Sequence, residues 1–138
     1  MRTTPVATSV PTVEQLPADA ALRLMAGVPV GRVVFTEGAL PAIRPVHFLF
    51  DGADVVFRIM ADQRLAAALH NTVVAFEADE YDAVDGTGWT ATVTGHATRV
   101  DNVAEITRLD GLLPRPWGPE AVLFRVEAEI VTGRRVGY

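Results

Sequence analysis

The chain of 138 residues contains no cysteine and no lysine, and its only serine is Ser9. Without cysteine there is no disulfide framework, no thiolate zinc site and no cysteine nucleophile. Without lysine there is neither a Schiff-base amine nor the lysine of a P-loop. A single serine, placed in a Pro/Thr-rich leader, argues against a Ser-His-Asp hydrolase. Positive charge is scarce as well. The 12 basic residues, all arginine, face 17 acidic ones and leave a net charge of −5, the opposite of the basic footprint of a nucleic-acid binder. No apolar run approaches the length of a membrane span, and no charged-then-apolar signal peptide is visible. What is present is 49% hydrophobic and 21% charged residues, the composition and length of one globular domain. A chain of this size buries roughly two-thirds of its unfolded surface without metal or disulfide staples. The expectation is a flexible arm over residues 1–11 and one domain over residues 12–138 of a cytoplasmic protein.

Local patterns predict the elements. Pro17 opens a helix with Ala21, Leu22 and Met25 on one face, stopped by Gly27 and Pro29. Strands follow at Gly31–Phe35 and Ala42–Phe50. Asp51-Gly52 reads as a type I′ hairpin turn into Val55–Ile59, with both central residues at positive φ. Asp62 caps a short helix carrying Leu65, Ala68 and Leu69, with Asn71 as a left-handed stop. Thr72–Glu77 is a buried strand, and the acidic stretch from Glu77 to Gly88 reads as a solvated loop. From Trp89 to Val100 threonines and small residues alternate strictly, which is a strand. Its Ala/Gly face predicts a close neighbour, either a helix or another subunit. Asn102 caps a third helix with Val103, Ile106 and Leu109. An irregular loop spans Leu112–Pro119, a strand spans Ala121–Val131, and Gly133 breaks it before a last strand to Tyr138. The fold class is mostly β (α+β): a six- to seven-stranded antiparallel barrel with three short rim helices.

Sites of local chemistry are few. His47, His70 and His96 form no metal-ligand motif, so no metal site is expected. The acidic run lacks the spacing of a calcium loop. Glu127 and Glu129 share a strand face, where an acid/base pair and simple exposure are both open readings. No G-x-G-x-x-G occurs, which closes the Rossmann route to a dinucleotide. Arg58 at a strand end and Arg64 in the first turn of the next helix leave two readings. They are ordinary surface arginines, or they form an anion site with free backbone N–H groups at the helix start.

A series of short marks runs in order through the chain. They are Val30-Gly31-Arg32-Val33, Pro45-Val46-His47-Phe48, Val56-Phe57-Arg58, Arg64-Leu65-Ala66-Ala67, Val74-Ala75-Phe76-Glu77-Ala78-Asp79, Gly88-Trp89 with Gly95, and Val131-Thr132-Gly133-Arg134-Arg135. In this series the chain resembles the pyridoxamine 5′-phosphate oxidase-like, FMN-binding split-barrel family. The likeness is greatest to its small bacterial members, the group that includes nitroimidazole-reductase-like proteins.

The resemblance implies a homodimeric split barrel with two FMN molecules in clefts between the subunits. Pro45, Val46, His47 and Phe48 would lie beside the isoalloxazine. Arg58 and Arg64, with Ile59, Gln63 and Leu65 around them, would hold the phosphate. Trp89 and Thr90 would approach from the facing subunit, and Arg134 or Arg135 would close the site. Two positions depart from the family. Gln63-Arg64 stands where a serine or threonine followed by lysine is usual, and Ile59 replaces a common hydroxyl residue. The implied function is an FMN-dependent oxidoreductase that passes a hydride to or from a small conjugated or aromatic molecule, the cofactor supplying the chemistry. The alternatives are a non-catalytic flavin, deazaflavin or heme binder on the same fold, and a dimeric scaffold without a ligand. No nucleic-acid or membrane partner is expected.

Overall fold

The computed structural model of the protein describes residues 10–114 and 121–138. Most of the expected N-terminal arm and of the loop expected at Leu112–Pro119 therefore lies outside the described residues. The strands are β1 (Thr12–Gln15), β2 (Val30–Glu37), β3 (Leu40–Asp51), β4 (Asp54–Met60), β5 (Thr72–Tyr81), β6 (Gly88–Arg99), β7 (Ala121–Val126) and β8 (Ile130–Gly137). The helices are α1 (Ala18–Ala26), α2 (Gln63–Leu69) and α3 (Val103–Asp110).

Six antiparallel strands in the order β6-β5-β2-β3-β4-β7 close on themselves through a β6–β7 pairing, and β8 and then β1 extend from β6. The mostly β barrel with three short helices is as expected. The described strands number eight, because β1 and β8 add a flap outside the closed ring. The split lies on β6. Its whole length pairs with β5, but its other edge is shared: Gly88–Thr94 pairs with β8 and Ala97–Arg99 with β7. At the fork the connection between β7 and β8 crosses over Gly95, where a Cβ would collide with the Glu127 carbonyl oxygen. That connection is pinned by the Glu129 carboxylate, which accepts from the His96 backbone N–H at 2.6 Å and meets the His96 ring at 2.8 Å.

Several sequence expectations change here. The strand expected over Ala121–Val131 ends at Val126, so Glu127 and Glu129 belong to the crossing and not to one strand face. Gly133 does not break β8. It sits within it because a Cβ there would press on the Cβ of Ala21 in α1. The Ala/Gly face of β6 looks into the barrel, with Ala91, Val93 and Ala97 at most 1% exposed. What packs close to it is the chain itself, so this face is no subunit contact. The acidic residues Glu77, Asp79 and Glu80 continue β5 and are not in a loop; only the turn beyond Tyr81 is.

The hairpins also differ in register. Asp51 pairs with Asp54, so Gly52 and Ala53 form the turn, and only Gly52 has positive φ. That fits type II′ and not I′. The turn with both central residues at positive φ joins β2 to β3, at Gly38 (φ 56) and Ala39 (φ 65). The helix signals hold: Asp62 caps Leu65 N–H at 2.8 Å, Asn102 caps Glu105 N–H at 3.1 Å, and Asn71 stops the chain after α2 with φ 65.

The barrel interior is aromatic at its centre. Phe57, Phe76 and Phe124 are fully buried, with Phe57 stacked between the other two at 5.9 Å from each. Burial of one such side chain contributes roughly 2–3 kcal/mol. A second cluster of Val56, Val100, Leu109, Leu113 and Leu123 lies outside the ring, under α3. Both faces of β4 are thus covered.

Candidate functional site

Two of the hollows on the barrel wall gather the expected site residues; another, beside Gly27–Pro29, is lined by Phe48 alone among them. The first, a cleft of about 280 Å³, lies where β3 and β4 meet the start of β2. Pro45, Val46 and His47 of β3 and Arg58 and Ile59 of β4 line it, together with Val30, Arg44, Met60 and Ala121. Five residues expected at a common site are therefore brought together. The other four were not expected. Arg44 had a signal, a charge directly before Pro45, whereas Val30, Met60 and Ala121 arrive through strand pairing alone. Mostly apolar walls with few polar groups are the usual make-up of a site for a planar organic ligand. His47 makes no side-chain hydrogen bond with any described residue and is the one imidazole among the residues lining this cleft.

Phe48 belongs to the core instead, 4.8 Å from the Phe76 ring and 7% exposed, and does not line the cleft. Leu65 is likewise a core residue of α2. Gln63 and Arg64 are exposed on the first turn of α2, and Arg64 forms no ion pair with any described residue. The helix start is not an open anion site, however. The Asp62 carboxylate already accepts from the Leu65 N–H and puts negative charge where an anion would sit.

Arg58 also departs from expectation. It is the one charged residue among those described that is buried, at 4% exposure. Its Nη2 donates to the Asp110 carboxylate at 2.7 Å and to the Asp110 carbonyl at 3.3 Å; Nη1 donates to the carbonyls of Leu113, at 3.0 Å, and Pro114. Both terminal nitrogens are engaged at the C-terminus of α3, where a cation complements the helix dipole. The guanidinium that was to grip a phosphate holds a helix end instead.

The second hollow, of about 440 Å³, is polar and lies across β6 and β8 beside β1. Thr90, Thr92, Thr132, Arg134 and Gln15 line it. Thr90 and Arg134 are cross-strand partners, and Arg134 forms no ion pair with any described residue. Trp89 and Arg135 are partners too, but on the other face of the same strands, where Trp89 is 6% exposed. Arg134 and not Arg135 is thus the arginine that shares a hollow with Thr90.

The two hollows lie at opposite ends of one outer face, formed by β3-β2-β5-β6-β8. His47 pairs with Val30, and Asp79, Thr90 and Arg134 pair in succession. Extending the Arg32–Glu77 register by two residues puts Val30 opposite Asp79. His47 and Arg134 therefore end the same transverse row, four strand spacings or about 19 Å apart. Among the described residues no group of three histidines or carboxylates is arranged to hold a metal. No described helix is long and apolar enough to cross a membrane.

Comparison with known proteins agrees with the barrel. The sequence profile of the pyridoxamine 5′-phosphate oxidase family matches residues 17–135. An uncharacterised protein of Mycobacterium tuberculosis is 42% identical over 131 residues, covering 90% of this chain and 86% of its own. A Corynebacterium glutamicum protein of pyridoxamine 5′-phosphate oxidase type superposes with a TM-score of 0.77 at 32% identity, over 90% of this chain and 98% of its own. The FAD-binding protein of Mycobacterium smegmatis superposes with a TM-score of 0.70 at 29% identity, over 94% of this chain and 100% of its own. The chain belongs to the pyridoxamine 5′-phosphate oxidase-like family.

Proposed function

From membership of that family we propose that the protein is a cytoplasmic, homodimeric, flavin-dependent oxidoreductase of a small conjugated or aromatic molecule, with FMN as its cofactor. The observation that carries this reading is the division of the site. The apolar cleft with His47 and the polar hollow with Thr90 and Arg134 are each half of what a flavin needs. At about 19 Å along the sheet, the two halves are farther apart than the one ring-and-phosphate unit of FMN comfortably reaches on one chain. A two-fold pairing of the outer faces lays the cleft of each copy on the hollow of the other, giving two identical and complete sites.

The residues fit the group. The apolar walls at Val46, Ile59 and Met60 accept a planar ring and exclude water, and the backbone at Pro45 and Val46 offers it polar partners. His47 can hold a proton at its ring beside the reacting centre. Arg64 from the same copy and Arg134 from the partner subunit supply unpaired positive charge for an anionic tail. When bound, the flavin supplies the hydride chemistry, and the chain positions and shields it.

One observation favours a second reading, that of a non-catalytic flavin, deazaflavin or heme carrier. The usual phosphate grip is weakened on three counts: Asp62 closes the helix start, Arg58 is engaged elsewhere, and Ile59 and Gln63 offer no hydroxyl. FMN titration followed by flavin fluorescence, with sedimentation of the same sample, separates the readings. Saturable quenching at about one FMN per chain in a dimer is expected. Absence of quenching, with binding of a deazaflavin or heme, would favour the carrier.

A further inference from the structure

Midway between the two hollows, on β5, stand two carboxyl side chains, Glu77 and Asp79. One guanidinium serves both: Arg32 Nη1 donates to Glu77 Oε1 at 3.1 Å and to Asp79 Oδ2 at 3.4 Å. From β6 the Thr90 hydroxyl donates to Glu77 Oε2 at 3.1 Å, and Thr92 is the uncharged cross-strand partner of Glu77. The groups facing Glu77 are therefore one cation from β2, one like charge from its own strand and two threonines from β6. Two carboxylates against one guanidinium leave one unbalanced negative charge. The pair is already withdrawn from water, with side-chain exposures of 25% and 32%. Partial burial, and then the neighbouring Asp79, pushes the Glu77 carboxyl above its ordinary range.

A two-fold axis that lays cleft on hollow runs along β5, the middle strand of the five-stranded face. Glu77 and Asp79 of each copy then face the same residues of the other. Four carboxyl groups and two guanidinium groups would be enclosed in one seam, and uncompensated charge in such a place is costly. A proton on one carboxyl of each copy removes the excess and turns a repelling group into a hydrogen-bond donor to its neighbour.

We infer that each Glu77 takes up a proton when two copies of the chain join through this face, so that assembly of the paired site is favoured by acid and opposed by alkali. The inference rests on the dimeric reading proposed above. Its sign follows from linkage. A carboxyl that holds its proton more tightly in the dimer than in the free chain favours the dimer at low pH, and that advantage is lost as pH rises. The dissociation constant is expected to rise by up to about 10-fold per pH unit for each proton taken up, about 100-fold for two.

Sedimentation of the full chain from about pH 5 to about pH 8, for the wild type and for Glu77→Gln, tests this. The wild-type dimer is expected to loosen steadily with rising pH. The glutamine variant, in which the one carboxylate left on each copy, Asp79, is balanced by Arg32, is expected to form a tighter dimer with a flat profile. Should Glu77→Gln not fold, Asp79→Asn removes the other member of the pair and is expected to flatten the same profile. Dimers of equal affinity at every pH in wild type and variant would overturn the proton uptake and leave the dimer standing. Monomers throughout would remove the dimeric reading and the inference with it.

Discussion

The guanidinium of Arg58 meets the carboxylate of Asp110 at 2.7 Å, where β4 passes under the C-terminus of α3. The same side chain forms a wall of the candidate cleft, so the cleft and the helix that covers the outer face of β4 share one buried charge. This makes Arg58 a support of the site more than a ligand within it. Arg58→Ala removes the hydrogen bonds that this guanidinium gives to Asp110 and to the Leu113 and Pro114 carbonyls. Its expected cost is about 1–3 kcal/mol of folding stability, the range for leaving a covered polar group without its hydrogen bond. Urea unfolding of the purified variant measures this. A variant as stable as the wild type that had merely lost cofactor affinity would return Arg58 to the role of a phosphate ligand.

The proposal gives that role on the same chain to Arg64, which is exposed at the start of α2 and forms no ion pair with any described residue. Arg64→Ala is expected to weaken FMN binding about 10-fold or more, since a hydrogen bond to a charged group contributes roughly 1.5–3 kcal/mol. Arg99→Ala, which removes only an exposed pairing with Asp101 at 3.4 Å, is expected to leave FMN binding unchanged. Fluorescence titration compares the two. Equal effects would remove Arg64 from the site.

Ala39 adopts φ 65 in the turn between β2 and β3, a conformation that strains any side chain with a Cβ. A Cβ built on the neighbouring Gly38 would meet nothing within 4 Å beyond its chain neighbours, so the turn has open space around it. Ala39→Gly is expected to raise stability by about 1 kcal/mol and the melting temperature by about 3 °C. A calorimetric scan showing an unchanged or lowered transition would contradict the turn assignment.

Asp51 is held down to about 2 by hydrogen bonds from Arg108 and then Arg125, at 3.0 and 2.7 Å. Its folded value lies below the unfolded one, so its contribution is present in full above about pH 4 and is lost as pH falls toward 2. Asp51→Asn is expected to be less stable than the wild type at pH 7 and to lose less stability between pH 4 and pH 2. Parallel acid-induced slopes in the two proteins would show that this cluster does not govern acid unfolding.

How much of this was legible in the sequence differs by element, and the reason is physical. α2 was readable because Asp62 and the apolar positions Leu65 and Leu69 are local signals that act within one turn. The hairpin after β3 was found but placed one residue off. Asp-Gly is a strong turn signal, yet here Asp51 is kept on the strand, paired with Asp54 and held by Arg108 and Arg125. The β7–β8 break was missed because the contact that makes it, Glu129 on His96, joins residues 33 apart in the chain. Gly133 attracted the break instead, although its glycine serves the approach of α1. The resemblance put Pro45–His47 and Thr90 at one site, and in the structure the first three line the cleft and Thr90 the hollow. It could not show that Arg58 turns to Asp110, because that pairing depends on where α3 ends.

The central claim is that one cofactor site is built from two chains, and complementation tests it most directly. Met60→Trp fills the cleft and Arg134→Glu reverses the charge of the hollow; both positions are exposed and lie on different half-sites. Each variant alone is expected to bind no FMN. In a mixed population half of the dimers are heterodimers, each with one wild-type cleft facing one wild-type hollow, so about one-quarter of the wild-type binding capacity returns. A mixture of folded variants that binds no more FMN than either alone would contradict a site shared between chains.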